Sequence, residues 1–303
     1  MKLAVALVLA LGLGAQTPPA IPATAESPKP EGPSAPLLRN EGHPMAVAFA
    51  CTEDDMQWAG MSCSEDQPCP VYLELSAIET VGARIILLGN IHSESTTLYS
   101  LLITSEDGGA TWHEPNERMR GTGLDHIQVI DFQNGWISGE TLVPVSRDPF
   151  FLITSDGGKS WRLRPVLAEG MPGAIQQFHF ESATNGVMTV DHMQSAESSR
   201  YELYETPNGG ETWMIRRTSD KPIALTRADA GSAGWRIRAD AKSKSFAIEK
   251  LEGEKWVAIA SFLVEIGACK AAPRVLSPPP EPESQSPAAP ASPPSLNKPR
   301  PKP

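Results

Sequence analysis

Two aspartates, Asp107 and Asp156, each sit among paired glycines, a hydroxyl residue and a tryptophan, in TSEDGGATW (104–112) and TSDGGKSW (154–161). A carboxylate in such a run can act as a general acid or base, ligate a hard cation such as calcium, or accept the backbone N–H groups of its own turn. Recurrence separates these roles. A third run, TPNGGETW (206–213), keeps the pattern and loses the charge, and a fourth, EKLEGEKW (249–256), keeps only Gly253 and Trp256. The matched positions are Ser105, Asp107, Gly109, Thr111 and Trp112, then Thr154, Asp156, Gly158, Ser160 and Trp161, then Thr206, Asn208, Gly210, Thr212 and Trp213. A catalytic group is needed once, whereas a fold element is needed in every unit, and Asn208 serves the turn without ionising. The boxes therefore read as structural turns, and no catalytic, cofactor-binding or metal-binding residue is assigned from them.

Other candidates are sparser. Asp191 and His192, in TVDHMQS, fall in an expected loop near His179 on a strand, an arrangement open to an acid/base pair or a metal but more ordinary as a solvated loop. Glu53, Asp54 and Asp55 are adjacent, alternate in direction and read as a solvated turn. No P-loop, GxSxG or HExxH motif occurs, so no cofactor is expected. The formal net charge of -10, without a basic block in the folded part, argues against a nucleic-acid surface.

The elements that would position these groups follow from a second marker. A glycine opens a strand upstream of each box: Gly82, Gly135, Gly186 and Gly234. Both markers repeat at intervals of about fifty residues, a period of blades or solenoid units. Each unit reads as four strands with the box between the third and fourth; in the second these are HIQVIDF, GWISGE, FFLIT and SWRLR. The fourth unit reads as IALTRA, GWRIRA, SFAIEK and KWVAIA. Four short strands per repeat without helices predict a small all-β propeller of four-stranded blades, four full blades in all. MAVAFAC (45–51) and ASFLVEIGAC (260–269) are left over at opposite ends, each finishing at a cysteine, and are expected to pair as a composite closing blade or flap.

The ends are of a different kind. Residues 1–16, a lysine followed by an apolar run, read as a signal peptide; 17–41 as a Pro-rich linker; 42–272 as the propeller domain; and 273–303 as a Pro-rich disordered tail. Export to a periplasm or extracellular space follows, with no transmembrane segment after cleavage and a monomer as the expected state. An oxidising compartment makes two disulfides the natural use of four cysteines, Cys51 with Cys269 and Cys63 with Cys69 being the preferred pairing. Their spacing matches no zinc pattern.

The boxes resemble Asp-box (BNR) repeats of sialidase-like and sortilin-like propellers, and the rhythm of strand, GW and T-x-DGG-x-(S/T)-W resembles photosystem II stability/assembly factor-like propellers over about residues 70–260. That resemblance implies a non-enzymatic scaffold that holds a protein partner while an envelope complex assembles. The alternative it implies is a divergent sialidase-like propeller that binds or hydrolyses glycans. A sialidase requires an arginine triad, a Tyr–Glu nucleophile pair, an Asp acid/base and an early F/Y-R-I-P motif. The nearest candidates are Arg84 in ARII and Arg236 in WRIR, neither followed by proline, and the tyrosines are limited to Tyr72, Tyr99, Tyr201 and Tyr204.

Overall fold

The computed structural model describes residues 37–142, 148–167, 172–192, 200–225 and 233–271, and the expectations for 1–16, for the linker before residue 37 and for 273–303 lie outside the described residues. The chain runs through β1 (Leu38–Arg39) and helix α1 (Glu53–Trp58), then a first repeat of β2 (Cys69–Val81), β3 (Arg84–His92), β4 (Thr97–Ser105) and β5 (Thr111–Trp112). The second repeat holds β6 (Thr122–Val129), β7 (Gly135–Thr141), β8 (Asp148–Thr154) and β9 (Arg162–Pro165), and the third β10 (Ala174–Phe180), β11 (Gly186–Asp191), β12 (Tyr201–Thr206) and β13 (Met214–Ser219). The last repeat has β14 (Trp235–Asp240), β15 (Ser245–Glu252) and β16 (Lys255–Leu263), followed by β17 (Glu265–Cys269).

The fold is all-β and propeller-like, built from antiparallel sheets ordered β17-β2-β3-β4, β6-β7-β8-β9, β10-β11-β12-β13 and β14-β15-β16. Strands β3, β7 and β8 bury apolar side chains on both faces, so the first and second sheets each need a neighbour on each side. Ile86, Leu88 and Leu102 of the first sheet pack with Ile137, Phe150, Leu152 and Trp161 of the second. Trp136 and Phe151, on the other face of the second sheet, pack with Phe178, Phe180, Met188 and Tyr204 of the third. Leu87, Leu101 and Ile103, on the remaining face of the first, pack with Ile248, Ala260 and Phe262 of the fourth. The packing order is thus fourth, first, second, third, and among the described residues no buried apolar cluster joins the third sheet to the fourth.

Buried amides sew these layers together. Gln128 on β6 acts like a strand toward β10, its Oε1 accepting the Phe180 N–H at 2.8 Å and its Nε2 donating to the Phe180 carbonyl at 2.9 Å. Asn90 on β3 accepts the Leu124 N–H at 3.0 Å. The first strand of each of the first three sheets also carries a bulge, between Leu75 and Ala77, Leu124 and His126, and Ile175 and Gln177. A bulge sharpens local twist. The first one turns Ser76 so that its hydroxyl donates to the Leu124 carbonyl across the sheet junction.

The terminal segments differ from the expected composite blade. The C-terminal strand β17 joins β2 and completes the first sheet, with Cys269 opposite Cys69. Met45 bridges in parallel to Phe262 and extends the fourth sheet. Leu38 and Arg39, assigned to the linker from sequence, pair with Trp112 and Thr111. These segments go where an unpaired edge exists, which is a property of the assembled sheets rather than of the segments. In the fourth repeat Ile223–Leu225 forms no strand: the Leu225 N–H bonds to the side chain of Gln177, and Ile223 is buried. The rest of IALTRA lies outside the described residues. Glu53–Asp55 open α1 instead of a solvated turn, with Thr52 and Asp55 forming a reciprocal capping box.

Both disulfides form as paired from sequence, Cys51–Cys269 across a separation of 218 residues and Cys63–Cys69 across 6. The long bond ties the segment leading into α1 to β17. Loop-closure entropy predicts that a Cys51→Ala/Cys269→Ala variant loses about 5 kcal/mol against about 2 kcal/mol for Cys63→Ala/Cys69→Ala. Urea unfolding checks this, and a larger loss from the short loop would contradict it.

Candidate functional site

The repeat turns have one geometry. The Ser105 hydroxyl donates to Asp107 Oδ1 at 2.9 Å and accepts the Gly109 N–H at 2.8 Å. Thr154 repeats this with Asp156 and Gly158 at 2.9 and 2.8 Å, and Thr206 with Asn208 and Gly210 at 3.0 and 2.9 Å. Asp107 also accepts the N–H groups of Ala110 and Thr111 and the Thr111 hydroxyl, while Asp156 accepts the Ser160 N–H and hydroxyl. The second glycine of each turn has φ of 101°, 83° and 91°, a conformation that side chains disfavour. Asn208 keeps the arrangement by a swap of roles: its Oδ1 accepts the Thr212 N–H, and its Nδ2 donates to the Thr212 hydroxyl. The fourth turn has no such network. Glu252 pairs with Lys255 around Gly253, and Trp256 lies exposed beneath the Arg236 guanidinium, 4.1 Å from it.

These bonds hold the carboxylates ionised. Asp107 falls to about 2, first through the Thr111 N–H and hydroxyl, and Asp156 to about 2, first through the Ser160 hydroxyl. A carboxylate so committed has no proton to give near neutral pH. The boxes also mark the sheet junctions. The Arg84 guanidinium donates to the Gly157 carbonyl, and the Trp136 indole N–H, on the next sheet, donates to the Gly209 carbonyl at 2.9 Å. Within the box, Trp112 and Trp161 donate to the carbonyls of Gly109 and Gly158 at 3.0 and 3.2 Å, whereas the buried N–H of Trp213 has no partner.

The structure separates the other candidates. Asp191 ends β11 and pairs with Arg200, while His192 lies 2.9 Å from Glu202 with its other nitrogen 3.1 Å from the Pro172 carbonyl. His179 lies in contact with Gln128 at the second junction, so the three do not converge. Glu202 also accepts the Tyr204 hydroxyl, a Tyr–Glu pair of the type a sialidase uses, but both residues are buried. Burial, then the hydrogen bond to Glu202, pushes the Tyr204 phenol well above its ordinary range, the opposite of nucleophile activation. Asp55 accepts from Tyr99 and pairs with Arg120; burial raises its carboxyl, yet the bonds from Tyr99 and Thr52 and the Arg120 charge bring it below the ordinary value. Arg84 pairs with Glu106 on the first sheet and Arg236 with Glu249 on the fourth. Among the described residues no group of three His, Cys, Asp or Glu is placed to hold a metal, and no helix is long and apolar enough to cross a membrane.

Sequence reading missed Gln128 and Asn90, because a lone amide on a strand carries no local signal. It also missed the faces at the two ends of the array, which have no sheet against them among the described residues. On the third sheet His179, Glu181, Val187, Glu205 and Met214 line a hollow of about 360 Å³. On the fourth, Arg236 and Arg238 both pair with the buried carboxylate of Glu249, whose value they lower against the effect of burial. No protein-family model and no curated protein matches this chain. Among solved structures it is similar to YCF48 bound to D1 peptide, at 17% identity and TM-score 0.36 over 65% of this chain and 60% of that chain. It is also similar to YCF48 from Cyanidioschyzon merolae, at 18% identity and TM-score 0.30 over 63% of this chain and 56% of that one. The chain spans less than two thirds of the length of either.

Two tests follow from the boxes. Carboxylates lowered from 3.8 to about 2 contribute stability that is complete above the ordinary value and is lost as pH falls through the window between them. Urea midpoints of the wild type should therefore fall more steeply between those limits than midpoints of Asp107→Asn/Asp156→Asn; parallel curves would contradict the assignment. Trp161→Phe should cost about 1 kcal/mol more than Trp213→Phe, since only the former gives up an indole hydrogen bond. Equal losses would refute this.

Proposed function

We propose that this protein is an exported, non-enzymatic scaffold whose Asp-box propeller, roughly residues 42–272 set between Pro-rich spacers, holds a protein partner during assembly of an envelope complex. The observation that carries the reading is the state of the ionisable groups. The box carboxylates are committed to their own turns, the Tyr204–Glu202 pair lies in the core, and Arg84 and Arg236 hold other acids on different sheets. What the array offers outward instead is edge. Strands β9 and β13 each pair on one side only, and Leu163 and Ile215 stand exposed on them. Unpaired backbone with exposed apolar side chains favours recognition of an extended peptide by strand addition. The two disulfides support export, since such bonds persist in oxidising compartments.

A pulldown from envelope extract, run beside an assay on a fluorogenic sialoside and a glycan array, tests this. Stoichiometric capture of a protein, lost with Ile215→Asp and without sialoside turnover, is the expected result. Turnover or saturable glycan binding without a protein partner would sink the scaffold reading.

A further inference from the structure

The sheet array has two different ends, and they are of complementary type. At the second junction the face carrying Trp136, opposite Ile153, packs on the third sheet. The same register in the third sheet places Val187 opposite Glu205, on a face with no sheet against it among the described residues, its Gln177 and Thr189 end being covered by residues 222–225 and its Val187, Glu205 and Met214 end carrying the hollow. At the first junction the face pairing Ile137 with Leu152 receives the first sheet. The same register in the fourth sheet pairs Arg236 with Glu249, on a face that likewise has no sheet against it among the described residues. Each internal junction joins a face of the first type to a face of the second, and one of each has no partner sheet among the described residues.

We propose that two copies of this chain associate head to tail, that third-sheet face of each meeting that fourth-sheet face of the other, to close a ring of eight sheets. Continuity with the internal junctions carries this, because the contact repeats the face pairing already used between neighbouring sheets. Neither face repels the other: Glu205 beside the hollow is paired with Arg216, and Arg236 and Arg238 on the fourth sheet are paired with Glu249, so both faces present charges already matched. Exposed apolar side chains support it, since Met214 beside the hollow is 58% exposed, and Leu251 and Trp256 on the opposite face are 39% and 37% exposed. Propeller rings of about four to eight blades are common, so two arcs of this length make an ordinary ring. A heterologous contact closes into a ring when its rotation permits, and here two identical contacts satisfy both ends of both chains. The faces are mixed in polarity, as the surfaces of separable partners are, so the dimer should be concentration-dependent. The competing physical reading is that the polar substitutions cap the array and keep it monomeric.

Light scattering and sedimentation of the purified, fully oxidised protein decide between them. The proposal predicts a mass of two chains that shifts to one on dilution. Met214→Asp and Leu251→Lys, both at exposed positions, should each be monomeric, and an equimolar mixture should recover the dimer, because the new Asp and Lys then face each other across one contact while the other is unaltered. Hydrogen exchange of the unsubstituted protein at high and low concentration reads the same contact without mutation, with added protection over β12 and β14. A monomer up to about 100 μM, which bounds the affinity at that level, would overturn the proposal. So would a dimer broken by Met214→Asp and indifferent to Leu251→Lys, or growth beyond two chains. The inference does not rest on the partner reading: self-association is measured on the isolated protein, and capture from extract is scored separately.

Discussion

A four-stranded sheet that is apolar on both faces cannot stand alone, and this constraint organises the molecule. The first sheet alternates Ile85, Ile86, Leu87 and Leu88 along one strand, all buried, so neighbouring residues serve different junctions. Packing outranks the turn chemistry in magnitude. Truncating a buried tryptophan such as Trp136, which lies flat on Phe180 with ring centroids 3.8 Å apart, costs about 3–5 kcal/mol, against about 1 kcal/mol for one hydrogen bond of a box. The boxes fix where each turn sits; the interleaved faces hold the sheets together.

Local signals made the repeats legible. The glycine, hydroxyl and tryptophan positions of each box act on one another within a few residues, so Asp107, Asp156 and Asn208 could be assigned to turns before any tertiary contact was known. The cysteine pairing was legible because an even count and a gap of 6 residues leave one short loop and one long clasp. What remained hidden is non-local. Nothing in ASFLVEIGAC says that its second half belongs beside β2, because that edge exists only once the first sheet is built. Helix α1 is only six residues long, and its capping box at Thr52 and Asp55 looks like three loose acids until Arg120 and Tyr99 arrive from far along the chain.

The buried polar groups show why residue types alone mislead about chemistry. Tyr204 beside Glu202 and Asp191 beside His192 are pairs that enzymes use, yet here each is taken up by a structural partner. Glu202 receives both Tyr204 and His192, and Asp191 faces Arg200. A buried carboxylate that accepts from two neighbours is stabilised where it stands, and a phenol that donates to it is harder to ionise. The same logic covers Glu249 between its two arginines, which replaces an apolar core pair with a satisfied ionic one.

The boxes weaken along the chain, and two of them also serve a sheet junction. In the second and third boxes the carbonyl of the first glycine accepts a donor from the preceding sheet, Arg84 and Trp136 respectively. On the third sheet the residue in the register of Trp136 is Val187, whose side chain has no N–H to donate, and the box that would receive it has lost its acid, its hydroxyl and its paired glycines. The third box stands between these states, with Asn208 in place of the acid and the Trp213 N–H unpartnered. Losing the Gly209 carbonyl position would leave the buried Trp136 N–H unpaired at about 1–3 kcal/mol, so that turn is held by its neighbour as well as by its own bonds.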